Sequence, residues 1–384
     1  MSKIGIMGGT FNPIHNGHLV IAKNAKEQFG LDKVMFITSG NPPHKQGEKI
    51  LDAQIRHKMV CIAIDGYADF ELCDYEVKKE DYSYTADTLA YLKEQNKEDE
   101  LFLIIGADSL HNLKTWHKPE DICKLCTLLV YSREGYDINK DCEEVKKEYH
   151  CTPRIIKATY IDISSTEIRN LLYNKKDVSQ LMPDAVLQLI TRNDLYLPDE
   201  GTIEERIKKR LRPDRFCHSE GVAKKATELA NIFGVDKEKA YLAGIAHDCA
   251  KNIPYEKMMA KCADYDVELD EDERNNPGLI HAKLGEKVAK IELGITDKEI
   301  LKAIKWHTLG YPGMGNLEKI IYVADMIEEN RNFLGVDGLR AIAQENLDRA
   351  VAACAKATID FNTAKNIKVH PMAYKVFEWF MKNE

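Results

Sequence analysis

The alternation of strand-like and helical patterns stops near residue 197, and this change restricts the fold more than any other feature of the sequence. Up to that point, short β-rich runs are separated by helical patterns. The predicted strands are residues 3–8, 33–39, 70–77, 101–107, 127–132 and 154–163, with helices such as 17–29, 52–65 and 85–95 between them. Strands that alternate with helices predict an α/β domain whose mostly parallel sheet is covered on both faces. In such sheets, ligands bind at the carboxyl ends of the strands.

The second half of the chain is predicted to be helical throughout. A stretch with Pro, Gly and acidic residues at 198–202 indicates a linker, and amphipathic helical patterns follow it. The predicted helices are residues 203–211, 219–233, 237–251, 282–293, 297–307, 317–327 and 336–362. We therefore expect two domains, an α/β domain at residues 1–197 and an all-α helical bundle at residues 203–384.

The composition is that of an ordinary globular protein, with 44% apolar and 30% charged residues among 384. The formal net charge of -8 argues against a nucleic-acid partner, which usually needs a basic face, but it leaves small phosphorylated ligands open. No signal-peptide pattern and no apolar run of about 20 residues is present, so we expect no membrane partner. Ten scattered cysteines fit the reducing cytoplasm, and the oligomeric state stays open, a homo-oligomer included.

The run GGTFNPIHNGH at residues 8–18 predicts a phosphate site. A strand that ends in Gly8 and Gly9 and opens into a helix brings bare backbone N–H groups toward an anion, and Thr10 adds a hydroxyl. His15 and His18 are spaced so that both imidazoles can enter one pocket and donate to a phosphate that gains charge during transfer. An isolated pair of histidines at this spacing would often only cap a helix or pack against neighbouring side chains. The glycines and the threonine favour the phosphate site.

Residues 8–18 resemble the signature of the nucleotidyltransferase superfamily, and four later motifs narrow the resemblance to bacterial nicotinate-nucleotide adenylyltransferases. These motifs are NPPHK at 41–45, YSYTADTL at 82–89, IGADSL at 105–110 and ISSTEIR at 163–169. The resemblance implies a Rossmann-like nucleotidyltransferase fold for the first domain. It also implies the reaction of nicotinate mononucleotide with ATP to give deamido-NAD and pyrophosphate. Mg²⁺ would enter with ATP, bound mainly by the substrate phosphates.

The same resemblance implies a set of site residues in the first domain. The predicted catalytic residues are His15, His18, Lys45 and Arg169. The predicted substrate- and ATP-binding residues are Gly8, Gly9, Thr10, Phe11, Thr85, Gly106, Asp108, Trp116, Ser164, Ser165 and Thr166. Among these, Thr85 and Trp116 match the pyridine pocket, whereas the run 164–166 and Arg169 match the ATP-phosphate site.

Other interpretations of the first domain stay open at this stage. Asp108 and the run 164–166 also suit ordinary helix caps, and Lys45 suits a solvated loop. The domain could also be a nucleotide sensor. A nearer alternative is an adenylyltransferase that uses pantetheine phosphate, FMN or nicotinamide mononucleotide.

Metal-binding side-chain types recur through the predicted helical bundle. They are His218, His247, Asp248, His281, His307 and Asp325, distributed over five helical segments. Metal sites in helical bundles are assembled in this way, with inward ligands from several helices. His247 and Asp248 fall in an apolar helical pattern, where burial is costly unless they pair or bind a cation. One such histidine would suit a core position, but six residues in this order predict a metal centre.

The second half resembles the HD-domain phosphohydrolases, and within them the symmetrical diadenosine tetraphosphate hydrolases. The matching runs are RFCHSEGVA at 215–223, HDCAK at 247–251, LIHA at 279–282, WHTLG at 306–310 and KIIYVAD at 319–325. The resemblance implies two divalent metals, iron or manganese, and hydrolysis of diadenosine tetraphosphate to two ADP. Lys251 and Arg331 are further candidate phosphate contacts. Alternatives are another nucleotide phosphoester as substrate, or a regulatory nucleotide-binding module without turnover.

Overall fold

A computed structural model describes residues 1–42, 50–79, 81–131, 138–157, 163–197 and 201–382 of the chain. It contains two compact units, Met1–Leu197 and Pro198–Glu384. The first is an α/β unit with a parallel sheet, and the second is helical, which confirms the predicted fold classes. No helix within the described ranges is long and apolar enough to cross a membrane.

The described part of the first unit contains one six-stranded sheet. Its strands are β1 (Lys3–Gly9), β2 (Lys33–Thr38), β3 (Phe70–Cys73), β4 (Glu100–Gly106), β5 (Cys126–Tyr131) and β6 (Arg154–Ile156). All neighbours pair in parallel, in the order β3-β2-β1-β4-β5-β6. This is the Rossmann strand order. Successive strands are added on one side of β1 as far as β3, and on its other side from β4 onward, so the strand order reverses between β1 and β4. The loops after these two strands therefore border the crevice in which such sheets bind ligands.

The helices of the first unit cover both faces of the sheet. They are α1 (Asn16–Phe29), α2 (Ala53–Ile64), α3 (Thr85–Gln95), α4 (Ala107–His111), α5 (Pro119–Leu125), α6 (Asn139–Tyr149), α7 (Ser165–Tyr173) and α8 (Asp184–Arg192), with a short 3-10 helix at Leu113–Thr115. Strands β1, β4 and β5 are buried along most of their length, as near-continuous apolar runs require in a parallel sheet. Ile6, Leu103, Leu128 and Val130 belong to the resulting core.

Two predicted strands are shorter in the structure by several residues, and the strand predicted at 33–39 ends one residue early, at Thr38. The strand predicted at 70–77 ends at Cys73, because turns bonded from Lys78 to Asp74 and from Lys79 to Glu76 follow it. The strand predicted at 154–163 is observed as Arg154–Ile156, and residues 158–162 lie outside the described ranges.

The second unit is built from helices alone within residues 201–382. They are α9 (Ile203–Arg210), α10 (Pro213–Phe233), α11 (Lys237–Ala246), α12 (Tyr255–Asp264), α13 (Glu271–Arg274), α14 (Pro277–Ile291), α15 (Lys298–Trp306), α16 (Asn316–Ile327), α17 (Val336–Glu345), α18 (Leu347–Ala364) and α19 (Pro371–Lys382). Helices α12, α13 and α19 were not predicted.

Several helix boundaries differ from the prediction for local reasons. Helix α10 begins six residues early, at Pro213, whose fixed φ suits the first helical position. Helix α11 ends at Ala246, so His247 and Asp248 follow the helix instead of lying in it. The helix predicted at 336–362 is two helices, because the Asn346 side chain accepts from the backbone N–H groups that begin α18.

Candidate functional sites

His15 and His18 lie together at the start of α1, directly after the loop that leaves β1. His15 occupies the position before the helix, and its backbone N–H donates to His18 Nδ1 at 3.2 Å. The two ring centroids are 3.8 Å apart. His15 is only 6% exposed, and its Nδ1 has no hydrogen-bond partner among the described residues. The structure therefore brings the two predicted imidazoles together and leaves a buried polar atom for a ligand.

Burial keeps both imidazoles neutral near pH 7. It lowers the pKa of His15 to about 4. Burial and the adjacent His15 hold the pKa of His18 well below its usual range. A neutral imidazole can still donate one N–H bond to a phosphate oxygen. Buried donors aimed at a developing charge gain strength because water does not screen them.

Arg56 holds the loop after β1 through hydrogen bonds, and this role was not predicted from the sequence. This α2 side chain is 1% exposed. It donates to the backbone carbonyls of Leu51 at 2.8 Å, Thr10 at 2.6 Å and Gly40 at 3.1 Å. Burial lowers its pKa to about 10, so it stays cationic at neutral pH. In the sequence Arg56 is followed directly by His57 and Lys58, so no local signal marked it as buried.

Arg169 joins the start of α7 to the same loop. Its Nη1 donates to the Asn12 carbonyl oxygen at 2.8 Å, and its Nη2 donates to Thr166 Oγ1 at 3.1 Å. The Asn12 side chain is also engaged, because the Tyr196 hydroxyl donates to its Oδ1 at 2.9 Å. The guanidinium thus lies beside the loop that follows β1.

The other two hydroxyls of this segment have structural contacts as well. Ser164 caps α7 by accepting from the Glu167 N–H at 3.1 Å, as the alternative interpretation expected. Ser165 Oγ donates to the Pro13 carbonyl at 2.8 Å, across 152 residues of sequence. These contacts bring residues 164–169 against the loop after β1.

The remaining predicted residues at the end of β1 and in the loop after it are Gly8, Gly9, Thr10 and Phe11, which precede the two histidines. Gly8 is exposed at the end of β1, and Gly9 and Thr10 are partly buried. The Phe11 ring is buried and meets the His18 ring edge-on, with 5.0 Å between centroids. Lys45 lies outside the described residues.

The predicted pyridine pocket combines α3 with the segment after the 3-10 helix. Thr85 is the first residue of α3. The Tyr84 and His117 rings are 4.4 Å apart, so the start of this helix is next to the Trp116 segment. Trp116 is partly buried and packs against the core, which leaves only part of its ring for a ligand.

Asp108 is exposed in the first turn of α4, immediately beyond the carboxyl end of β4. Gly106 ends that strand and occupies the cap position of α4. The helix-cap interpretation of Asp108 is therefore wrong. Its carboxylate stands at the edge of the sheet where the strand order reverses, as a nucleotide contact would require.

In the second unit, all six predicted metal ligands converge on one cluster. Within it, three overlapping triads each hold their ligand atoms within 4.8 Å of one another. The triads are His218, His247 and Asp248; His247, His307 and Asp325; and Asp248, His281 and His307. Every predicted ligand belongs to at least one triad.

Asp248 is the centre of the cluster. Its Oδ1 lies 2.9 Å from His281 Nε2 and 3.7 Å from His307 Nε2. Its Oδ2 lies 3.4 Å from His247 Nε2. Burial alone would raise the pKa of Asp248, but the surrounding histidines hold it well below its usual range. Asp248 is therefore anionic at neutral pH, as a metal ligand would need to be.

The donor atoms fit a divalent metal. Asp325 Oδ1 lies 2.9 Å from His218 Nε2 and 3.9 Å from His247 Nε2. The Nε2 atoms of His218 and His247 are buried, and within the described part of the chain neither has a partner aligned for a hydrogen bond, although both lie close to carboxylate oxygens. An unsatisfied buried nitrogen is costly, whereas a divalent cation with mixed nitrogen and oxygen ligands would satisfy it.

Two of the ligand histidines are oriented by backbone carbonyls. His247 Nδ1 lies 2.6 Å from the Gly244 oxygen, and His307 Nδ1 lies 2.7 Å from the Ile304 oxygen. An Nδ1–H that donates to a carbonyl leaves the lone pair on Nε2, which faces the cluster. Both rings are therefore set in the form that binds a metal.

Two cations border the cluster beside Asp248. Arg215 Nη1 donates to Asp248 Oδ2 at 2.9 Å. Lys251 Nζ lies 3.4 Å from both ring nitrogens of His281, and burial lowers the pKa of this lysine. Cations at the rim of a metal centre suit an anionic substrate.

Two residues after α16 also border the cluster. Arg331 Nη2 donates to Asp325 Oδ1 at 2.7 Å. The Glu328 carboxylate lies 3.1 Å from His218 Nδ1, through its Oε1. Glu328 was not predicted, although an acidic residue three positions after a ligand aspartate was a visible signal.

Comparison with known proteins gives a separate result for each half. The Cytidylyltransferase-like family matches residues 6–171, and the HD domain family matches residues 215–330. A probable nicotinate-nucleotide adenylyltransferase of Clostridium botulinum is 43% identical over 199 residues, which cover 51% of this chain and 98% of the relative. Another, of Clostridium novyi, is 42% identical over 199 residues and is covered over 100% of its length.

A solved structure is similar to part of the chain. It is described as a predicted HD superfamily hydrolase involved in NAD metabolism from Clostridium acetobutylicum. Its sequence is 38% identical, and the match covers 48% of this chain and 100% of that chain, with a TM-score of 0.46.

Proposed function

Because the first half of the chain belongs to the nicotinate-nucleotide adenylyltransferase family and the second half is an HD domain, we propose that the protein is a bifunctional nucleotide enzyme. Residues 1–197 transfer the adenylyl group of ATP to nicotinate mononucleotide, giving deamido-NAD and pyrophosphate for NAD biosynthesis. Residues 203–384, after a linker at 198–202, hydrolyse diadenosine tetraphosphate to two ADP. Both activities are proposed to take place in the cytoplasm.

The paired imidazoles of His15 and His18 carry the first half of the proposal. In the reaction, a phosphate oxygen of nicotinate mononucleotide attacks the α-phosphorus of ATP while the bond to pyrophosphate breaks. The two neutral imidazoles lie at the carboxyl end of β1 and donate to oxygens that gain charge. Mg²⁺ bound to the ATP phosphates neutralises part of their charge. Neither histidine has to form a covalent bond to the adenylyl group.

Arg169 and the start of α7 are proposed to hold the ATP phosphates. The guanidinium already reaches the Asn12 carbonyl, so a modest rotation brings it to an anion above the same loop. The start of α3 is proposed to bind the nicotinate carboxylate, because backbone N–H groups at a helix start attract anions. Thr85 begins that helix, and the neighbouring Trp116 ring is available on one side.

A comparison of two acceptors tests the first activity. With ATP, we expect kcat/KM to be far higher for nicotinate mononucleotide than for nicotinamide mononucleotide. Loss of one donor in His18→Ala is expected to lower kcat about 100-fold. Trp116→Phe is expected to raise the KM for the nicotinate substrate, whereas Trp306→Phe, in the other unit, is the matched control. Preference for the amide would contradict the pyridine pocket.

The second half of the proposal rests on the convergence of six candidate ligands. Two of them, His218 and His247, have a buried Nε2 atom with no partner aligned for a hydrogen bond among the described residues. The proposed occupants are two divalent metals, iron or manganese, which activate water and neutralise phosphate charge. The ligand residues hold their donors inward, and Asp248 bridges neighbouring triads as an anion. Arg215, Lys251 and Arg331 border the cluster and attract the polyphosphate.

Hydrolysis by the full chain tests the second activity. Diadenosine tetraphosphate with Mn²⁺ or Fe²⁺ is expected to give ADP alone, whereas asymmetric cleavage would give ATP and AMP. The double variant His247→Ala and Asp248→Ala is expected to lose this activity. The control double variant is His150→Ala and Asp360→Ala, both exposed. Unchanged hydrolysis in the first variant would refute the enzymatic role, and altered adenylyl transfer without hydrolysis would favour a regulatory module.

The two activities are proposed to be linked by a side reaction. If the adenylyl group is transferred to ATP instead of the mononucleotide, the product is diadenosine tetraphosphate, which the second unit would remove. The His247→Ala and Asp248→Ala chain, incubated with ATP alone, is expected to accumulate this dinucleotide. If no diadenosine tetraphosphate accumulates, the proposed link between the two activities is wrong.

A further inference from the structure

Glu328 is tightly held beside the cluster of six candidate metal ligands. It is 1% exposed and follows the last residue of α16. Its Oε2 accepts from the Asn330 backbone N–H at 2.7 Å, and its backbone oxygen accepts from Arg340 Nη2 at 2.9 Å. Its other carboxylate oxygen faces His218 Nδ1 at 3.1 Å. Each of these contacts limits where the carboxylate can lie.

Gly221 makes room for this carboxylate. It lies one turn after His218 in α10, a helix interior where glycine is unfavourable. A Cβ at this position would clash with Glu328 Oε2. The missing side chain therefore allows the carboxylate to reach the ring of His218.

His218 differs from the two carbonyl-oriented ligands. His247 and His307 direct Nδ1 at neutral backbone oxygens, whereas His218 directs Nδ1 at an anionic oxygen. A carboxylate partner fixes the tautomer with Nδ1 protonated and makes Nε2 a stronger ligand. The His218 Nε2 atom is one of the two buried nitrogens of the cluster that have no partner aligned for a hydrogen bond among the described residues.

We propose that Glu328 is a positioning residue that orients His218 and strengthens its Nε2 as a metal ligand. This role rests on the proposed metal centre, but it does not depend on which nucleotide is hydrolysed. It acts through His218 and involves no contact between Glu328 and substrate.

Mn²⁺ affinity of the full chain, measured by competition with a fluorescent chelator, tests this role without any substrate. Glu328→Gln keeps the shape and an acceptor oxygen but removes the charge, and we expect Mn²⁺ to bind 10–100-fold more weakly, as about that loss follows removal of such partners. Glu329→Gln is the matched control, since Glu329 is exposed and next in sequence. We expect its affinity to stay within about twofold, by the weakness of surface charges.

Gly221→Ala provides an independent variant that keeps the carboxylate and favours the helix. Its methyl group would displace Glu328, so we expect weaker Mn²⁺ binding here too. A merely structural role would lower the melting temperature and leave Mn²⁺ affinity unchanged. If folded Glu328→Gln binds Mn²⁺ as tightly as the unmodified chain, the role of Glu328 is overturned and the metal centre is not. If that variant does not fold, unchanged Mn²⁺ affinity in Gly221→Ala has the same meaning. Absence of Mn²⁺ binding by the unmodified chain would overturn the metal centre and this role with it.

Discussion

Arg56 and Thr10 are joined across 46 residues of sequence by a hydrogen bond of 2.6 Å from guanidinium Nη1 to the backbone carbonyl. The same guanidinium donates to the carbonyls of Gly40 and Leu51. Three separate segments therefore depend on one buried cation. The loop that precedes His15 is one of them.

Replacement of Arg56 tests this dependence. Arg56→Met removes every donor and leaves three carbonyls to find other partners, so we expect a loss of at least about 3 kcal/mol in the free energy of unfolding. Adenylyl transfer should fall as well. Urea unfolding can be followed through Trp116 in a Trp306→Phe and Trp379→Phe background. Lys23→Met, on the exposed face of α1, is the control, with an expected change below about 0.5 kcal/mol.

The low pKa of His15 predicts an acid-sensitive first unit. Burial lowers the pKa of His15 to about 4 in the folded chain, against an ordinary value of 6.5 in the unfolded chain. The unfolded state therefore takes up its proton first, and stability falls as the pH drops from 6.5 to about 4. By linkage, the contribution of His15 is at most about 3 kcal/mol.

His15→Gln should flatten this pH dependence. The free energy of unfolding of the first unit, measured through Trp116 at pH 7 and pH 5, should differ less in the variant than in the unmodified chain. His150→Gln changes an exposed histidine of the same unit and should leave the difference intact. An equal difference in His15→Gln would show that His15 does not carry the effect.

Gly244 sets the approach of α11 to α10. A Cβ there would lie 2.7 Å from the Ala223 Cα, which is backbone and cannot rotate away. We expect Gly244→Ala to separate the helices, lower stability by about 1–3 kcal/mol and weaken Mn²⁺ binding, because the Gly244 carbonyl orients His247. Gly338→Ala in α17 meets no atom within 4 Å and should instead stabilise by about 0.5–1 kcal/mol. Thermal unfolding and chelator competition measure both effects.

Glu292 is the centre of a buried ionic network in the second unit. It accepts from Lys261 at 2.9 Å, Tyr265 at 2.7 Å and Arg210 at 2.6 Å. Burial opposes its charge, but the two cations outweigh burial and hold its pKa below the usual 4.5. Its contribution to stability is therefore present above about pH 4.5 and is lost as the pH falls further.

Removal of this carboxylate would take away the buried anion that Lys261 and Arg210 contact. Glu292→Ala should cost about 3–5 kcal/mol at pH 7 in urea unfolding. Glu299→Ala removes the exposed partner of Lys239 and should cost less than about 1 kcal/mol. Similar losses in the two variants would contradict the importance of burial at Glu292.

The fold was predictable where local pattern and tertiary packing agree. Strands β1 and β4 are apolar runs between turns, so their bounds were found within one residue. The break at Asn346 was not, because the amphipathic pattern continues through it and only the side-chain cap interrupts the helix. The end of α11 before His247 was also missed, because the residue after Ala246 keeps a helical backbone conformation and no local residue marks the end.

The clustering of the six candidate metal ligands was predictable because few residue types bind metals and six such residues occur in order. Their supporting residues were not. Glu328 and Arg56 act through contacts that depend on the folded position of distant segments, which no local pattern specifies. The cap role of Ser164 and the exposure of Asp108 likewise required coordinates.

The bond from Tyr196 to Asn12 determines where the two halves can be cut apart. Asn12 lies in the motif that opens the first site, yet its side chain is held by a residue 184 positions later, close to the predicted linker. A gene fragment that stops after Asn193 would lack that phenol and loosen the loop it supports. Any attempt to express the first activity alone should therefore end on the carboxyl side of Tyr196.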